Sequence, residues 1–236
     1  MTVHRRPEER KSDGKSLRKA VPRSSHGDWS PAADRPDPVG VITSQDTDRV
    51  QPLVPIRHGR MAVSPFTFYR GAAKIMAEDL SSTPSSGLDA QLCGDAHLAN
   101  FGSYASPDRR QVFDVNDFDE TLPGPWEWDL KRLATSFVLA GRDNGFDKAA
   151  ITAATTRSVA AYRQGMAKFA AEGTLDVWYA QATLDQIAAA TPKKKDRKKI
   201  SKGAKKARSK DSLKALSKLA EQVDGKYRIK NQAPLL

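Results

Sequence analysis

The stretch from Leu88 to Arg142 limits what this chain can fold into more than any other. It opens with a short apolar–polar run, Leu88 to Leu92, and passes through GDAHLANFG. It then turns at Ser106-Pro107-Asp108 and enters a second strand-like run, Gln111 to Val115. A loop with Pro123, Gly124 and Pro125 leads into a strongly apolar helix, Trp126 to Leu139, ended by Gly141 and Gly145. Two short strands feeding an apolar helix imply an α+β fold, mainly helical, in which a small β-hairpin carrying acidic residues packs on helices.

The rest of the chain is arranged around that stretch. Residues 1–50 are rich in Arg, Ser, Pro, Asp and Gly with no apolar period, so they are expected to form a disordered tail before a domain over 51–236. Ser64-Pro65 reads as a helix start, with Ser as N-cap and Pro in the first turn. Phe66, Tyr69, Ala73, Met76 and Leu80 follow at helical spacing, which predicts one helix running to the SSTPSSG linker. Asp147 is placed to cap a helix from Lys148 to about Ala171, and Ser212 to Val223 reads as a further helix before a short strand, Lys226 to Lys230.

The net charge of +11 is concentrated rather than spread. Residues 193–210 hold eleven Lys or Arg and one Asp, and the remainder is close to neutral. That run is read as a solvated basic face, with polyanion or nucleic-acid contact as the other reading; it has no interleaved aromatics. Cys93 is the only cysteine, which excludes an internal disulfide and a cysteine-based zinc site. No apolar run approaches the roughly eighteen residues that cross a bilayer, and the first fifteen residues lack an apolar core, so a cytoplasmic protein is expected.

The chemistry lies in the central stretch. Asp95 and Asn100 stand five apart with His97 between them, and Asp114, Asp117, Asp119 and Glu120 cluster after the second strand. Magnesium-dependent phosphoryl transfer needs a carboxylate to take the proton of the attacking hydroxyl. It also needs an amide oxygen and a second carboxylate to hold Mg²⁺ on the phosphates. Asp95 suits the first role, with His97 supporting the loop, and Asn100 suits the second. Asp114 and Asp117 both qualify as the remaining ligand; Asp117, at the strand's end, is preferred. The competing reading is local turn chemistry around a solvated acidic loop. Asp129 opens the apolar helix, where a carboxylate meets the helix dipole, and is expected to brace the loop. Arg70 either pairs with an acid or meets a nucleotide phosphate. Cys93 reads as a small buried side chain rather than a nucleophile. GxxxxGK[ST] and GxGxxG are both absent.

GDAHLAN resembles the catalytic loop of aminoglycoside phosphotransferases and related small-molecule kinases, usually H-G-D-x-H-x-x-N. Gly94, Asp95, His97 and Asn100 fall on the pattern, and Cys93 stands where the leading His is usual. Asp117-Phe118-Asp119 looks like the metal-binding element of those enzymes, and WEWDLKRLA like the helix that follows it. SPFTFYRGAA, LCGDAHLANFGSYASPDR and FDVNDFDETLPGPWEWDLKRLA together resemble an uncharacterised bacterial family, domain of unknown function 2252, from about Arg57 onward. The resemblance implies a kinase C-lobe-like fold, Mg²⁺ and ATP or another nucleotide as cofactors, and a small-molecule hydroxyl as acceptor. In longer members of that family a glycine-rich segment and a lysine strand lie after the catalytic loop, and this sequence ends before them; a truncated chain is the first expectation, with a partner supplying the missing half or an inactive kinase as the alternatives. Phosphoester hydrolysis ranks lower, because two-metal sites need more ligands.

Overall fold

In the computed structural model, the described residues are 6–108, 110–208 and 212–231. Their class is α+β and mainly helical, with small antiparallel sheets. By contacts the chain divides into two units. One combines residues up to Gly102 with Val115–Ala180; the other combines Ser103–Asp114 with the chain from Gln181 onward.

The first unit begins with helices where the composition suggests little order. α1 (Pro7–Ala20) starts on a proline, carries Glu8 and Glu9 in its first turn and Arg18 and Lys19 in its last, as the helix dipole favours. The segment beyond it is tied down at Arg35, whose guanidinium meets both oxygens of Asp79 at 2.5 and 2.8 Å. α2 (Pro38–Ser44), capped by Asp37, contributes Ile42 to an apolar cluster with Met61 and Ala72. Burial of that cluster and the Arg35 fork order a region whose own propensity is weak.

α3 (Val54–Met61) leads to α4 (Pro65–Arg70), where Ser64 accepts the Thr67 N–H as the sequence predicts. The helix expected to continue to Leu80 breaks at Gly71. There the Gly71 and Ala72 amides bond back three residues, to Phe68 and Tyr69, and a separate helix, α5 (Ala73–Ser81), begins.

β1 (Asp89–Leu92) does not pair with the next strand in sequence. Its partner is β4 (Leu122–Pro125), antiparallel, with Leu92 opposite Leu122 and Asp89 opposite Pro125. The Pro123-Gly124-Pro125 segment, read as a loop, is therefore a strand; in a two-stranded ribbon the missing proline N–H groups can face away from the partner. Between them, β2 (Phe101–Ala105) and β3 (Gln111–Val115) form the hairpin. α6 (Glu127–Asp143) follows β4 directly and packs along α7 (Lys148–Phe169), which Asp147 caps through the Ala150 N–H. α8 (Thr174–Trp178) closes the unit.

The second unit holds the hairpin's outer part and the basic region. Phe113 donates its N–H to Ala182 at 2.8 Å, and Val112 bridges Thr183. α9 (Leu184–Ala190), with a Thr183–Gln186 capping box, packs on α10 (Lys194–Arg208), which carries most of the basic run; residues 209 and 210 lie outside the described residues. α11 (Ser212–Leu219) is shorter than expected, because residues 220–223 leave the helix as β5 (Ala220–Val223) to pair with β6 (Lys226–Ile229). The turn between them is Asp224-Gly225, both with positive φ, the combination that a tight hairpin demands. Among the described residues no helix is long and apolar enough to cross a membrane.

Candidate functional site

The site grows out of the end of β1. Leu92 is buried, and its carbonyl accepts the Thr121 hydroxyl at 2.5 Å. The chain then turns at Gly94, where φ is +81° and a Cβ would lie 1.9 Å from the carbonyl oxygen of Glu120. No other residue fits there. The close approach brings the loop 93–100 against the segment 116–121.

The loop then runs along one face of α6. Asp129, Arg132 and Ser136 stand at i, i+3 and i+7, so they share one side of α6. Asp129 accepts the N–H groups of Cys93 at 2.6 Å and Gly94 at 3.1 Å, the bracing role expected of it. Burial raises its carboxyl above the ordinary value, and the two amide donors and Arg132 oppose that rise. Arg132, 2 % exposed, donates from Nε to Asp95 Oδ1 at 2.6 Å, and its Nη2 also pairs with that carboxylate. The same Nη2 reaches the Tyr69 carbonyl at 2.9 Å, and the guanidinium lies 4.5 Å from the centre of the Tyr69 ring. Ser136, fully buried, accepts the Leu98 N–H at 2.9 Å and donates to Leu133.

Three helix side chains thus hold the loop at residues 93–94, 95 and 98. Arg132 and Ser136 are the functional positions that reading for carboxylates and metal ligands passes over. With Asp129, their i, i+3, i+7 spacing puts them on one side of the helix, but nothing local in the sequence says what they meet there.

Asp95 sits between two partners. Its Oδ1 meets Arg132, and its Oδ2 lies 3.5 Å from His97 Nε2. His97 is 6 % exposed, its amide bonds to the Asp95 carbonyl at 2.8 Å, and its Nδ1 is buried without a partner among the described residues. Burial, together with the charges of Arg132 and Arg70, lowers the imidazole below its ordinary value although Asp95 pulls the other way. Burial is the largest of these influences and outweighs the attraction of Asp95.

Asn100, equally buried, ties the two loops together. Its Nδ2 donates to the Asp95 carbonyl at 2.9 Å and the Asp117 carbonyl at 2.7 Å, and its Oδ1 accepts the Asp117 N–H at 3.0 Å. Asp117 therefore meets Asn100 through its backbone, while its carboxylate is exposed and accepts the Asp119 N–H at 3.4 Å. Asp114 lies on β3, exposed, in the second unit. Arg70 is exposed at the end of α4, with no hydrogen bond or ion pair among the described residues, and its charge is felt by His97. The Cys93 thiol is pushed up to about 11 by burial, which keeps it protonated near neutral pH and fits a packing role.

Residues 49–236 match a bacterial family, DUF2252, described as an uncharacterized protein conserved in bacteria. The chain belongs to the DUF2252 family. No curated protein matches it. No solved structure matches it either. Every residue of the site lies inside the span matched to DUF2252, whereas α1 and α2 precede it.

For this DUF2252 chain the donor chemistry bears directly on a magnesium ion. Among the described residues no group of three or more His, Cys, Asp or Glu side chains converges. Magnesium asks for less: one or two protein oxygens, with water and phosphate supplying the rest. The exposed Asp117 carboxylate and the second lone pair of Asn100 Oδ1 are oxygens of that kind, and the Asn100 oxygen is fixed 3.0 Å from the Asp117 amide. Both are oxygen donors of the type that a phosphate-bound magnesium accepts.

Proposed function

We propose that this chain supplies the proton-accepting and metal-holding part of a phosphotransferase site that acts on a small-molecule hydroxyl. The observation that carries the reading is the double use of Asn100, which ties the Asp95 backbone to the Asp117 backbone on both faces of its amide. That link fixes the separation between a carboxylate suited to accept a proton and a carboxylate suited to hold a cation. The Asp129 clamp on Cys93 and Gly94 adds rigidity where positioning contributes most of the catalysis.

In the proposed step the acceptor hydroxyl oxygen forms a bond to the terminal phosphorus of a nucleoside triphosphate. The bond from that phosphorus to its bridging oxygen breaks, and the hydroxyl proton passes to Asp95. Asp117 and the Asn100 oxygen would hold Mg²⁺, which neutralises charge on the phosphates. Arg132 and His97 position the Asp95 carboxylate, and Arg70, exposed and unpaired among the described residues, is free to meet a phosphate.

The test is thermal melting with Mg²⁺-ATP. Stabilisation that needs both metal and nucleotide supports the reading; no shift at millimolar ligand removes it.

A second reading has its own observation. α10 forms a continuous helix over KKDRKKISKGAKKAR, with Asp196 as its one acid, so its charge is presented on a regular surface. In this reading α10 binds a polyanion, and its affinity for a nucleic-acid duplex falls steeply as salt rises. Salt-independent binding would count against it.

A further inference from the structure

The first unit contains a second cavity that shares no residue with the loop just described. It measures about 620 Å³ and lies among α1, the start of β1, the first turn of α6 and the middle of α7. Its apolar lining includes Leu17, Val21, Leu130 and Met166. Trp126 and Tyr162, stacked with centroids 5.8 Å apart and planes 6° from parallel, give it an aromatic surface. A volume of this order is typical of small-molecule sites.

Two polar groups in that lining are unfinished: His26 Nδ1 and Glu127 Oε2 are both buried with no partner among the described residues, and the Glu127 carboxylate is the charged one. Glu127 is 3 % exposed, and its Oε1 accepts the Ser86 N–H at 2.8 Å. Its Oε2 is buried and has no partner among the described residues. A buried carboxylate oxygen without a donor costs free energy that a ligand donor would recover. Arg18, Arg23 and Arg163 also line the cavity, each exposed and with no acidic partner among the described residues; the exposed carboxylate of Asp89 lies in the same lining, so the guanidinium groups still outnumber the acids three to two.

These charges select the ligand. A simple amine would satisfy Glu127 but would face three guanidinium groups. A simple acid would satisfy the arginines and leave Glu127 unpaired. We infer that the cavity binds a small zwitterion with an apolar, aromatic-sized body. Its ammonium group donates to Glu127 Oε2, its ring lies against Trp126 and Tyr162, and its acid group faces the arginines. Leu17, Arg18, Val21 and Arg23 precede the region matched to DUF2252, so part of this site belongs to the N-terminal segment of this chain. The inference does not depend on phosphoryl transfer.

Calorimetric titration of the full chain with L-tryptophan, tryptamine and indole-3-propionate tests it. L-tryptophan should bind about tenfold or more tighter than either partial probe, because only it satisfies both charges. Glu127→Gln should weaken L-tryptophan by about tenfold and leave indole-3-propionate unchanged. Val21→Trp, which fills the cavity, should abolish binding of all three without lowering the melting temperature. The inference is overturned if no probe binds up to about 10 mM, or if L-tryptophan binds Glu127→Gln as well as the parent. Should Glu127→Gln not fold, Val21→Trp decides: loss of binding supports the site, and retention removes it.

Discussion

Arg132 reaches Asp95 from the second turn of α6, its Nε 2.6 Å from the carboxylate, and is itself almost fully buried. The pair joins the loop to the helix, and the Arg132–Tyr69 contacts extend the link to α4. Removing one partner leaves the other as an uncompensated charge in poor solvent. Arg132→Ala should therefore cost about 3–5 kcal/mol in urea unfolding. A loss below about 1 kcal/mol would mean that Asp95 finds water in place of the guanidinium.

His97 gives the protein a predictable response to acid. Its imidazole is held below the ordinary value by burial, so over a range of pH the unfolded chain binds a proton that the folded chain refuses. The His97 contribution is complete above about pH 6.5 and declines as pH falls from there toward the folded value. Unfolding free energy followed between pH 7.5 and 5 should drop more steeply for the parent than for His97→Gln. Parallel curves would show that the ring titrates freely in the fold.

Gly94 tests whether the loop conformation is imposed by the contact with the acidic segment. Its positive φ and the Glu120 carbonyl, 1.9 Å from where a Cβ would stand, act together. Gly94→Ala should destabilise by more than about 1 kcal/mol and increase protease cleavage between residues 93 and 121. A variant as stable as the parent would mean that the loop and the 116–121 segment separate at little cost.

What could be read from the sequence depended on whether the deciding interaction was local. Ser64 and Asp147 act on amides three residues away, so their caps were legible. Asp129 was legible as a brace because a carboxylate in a first helical turn has few other uses. Arg132 was not, since its meaning comes from Asp95, 37 residues earlier in the chain. The β1–β4 pairing was hidden for the same reason: Pro123 and Pro125 read locally as a loop, and only the partner strand makes them a ribbon. α1 and α2 have little apolar period of their own; distant contacts act on this region, with Ile42 of α2 packing on Met61 and Ala72, and Arg35, just before α2, pairing with Asp79. The Asp224-Gly225 turn was a local signal that the leucine spacing of α11 outweighed.

Asp117 separates fold from function. Asn100 binds the Asp117 carbonyl and amide, groups that every residue but proline supplies, and the Asp117 side chain contributes a single 3.4 Å contact with the Asp119 amide. Asp117→Ala should therefore keep unfolding free energy within about 0.5 kcal/mol of the parent. Asn100→Asp behaves oppositely, because it replaces the Nδ2 donor with an oxygen facing the two carbonyls of Asp95 and Asp117, and should cost about 1–3 kcal/mol with no ligand present. If Asp117 holds the metal, the parent gains about 2.7 kcal/mol at a Mg²⁺-ATP concentration one hundred times its dissociation constant, and Asp117→Ala gains nothing. Equal stabilisation of both proteins would place the nucleotide elsewhere and leave the Asn100 link with a structural role alone.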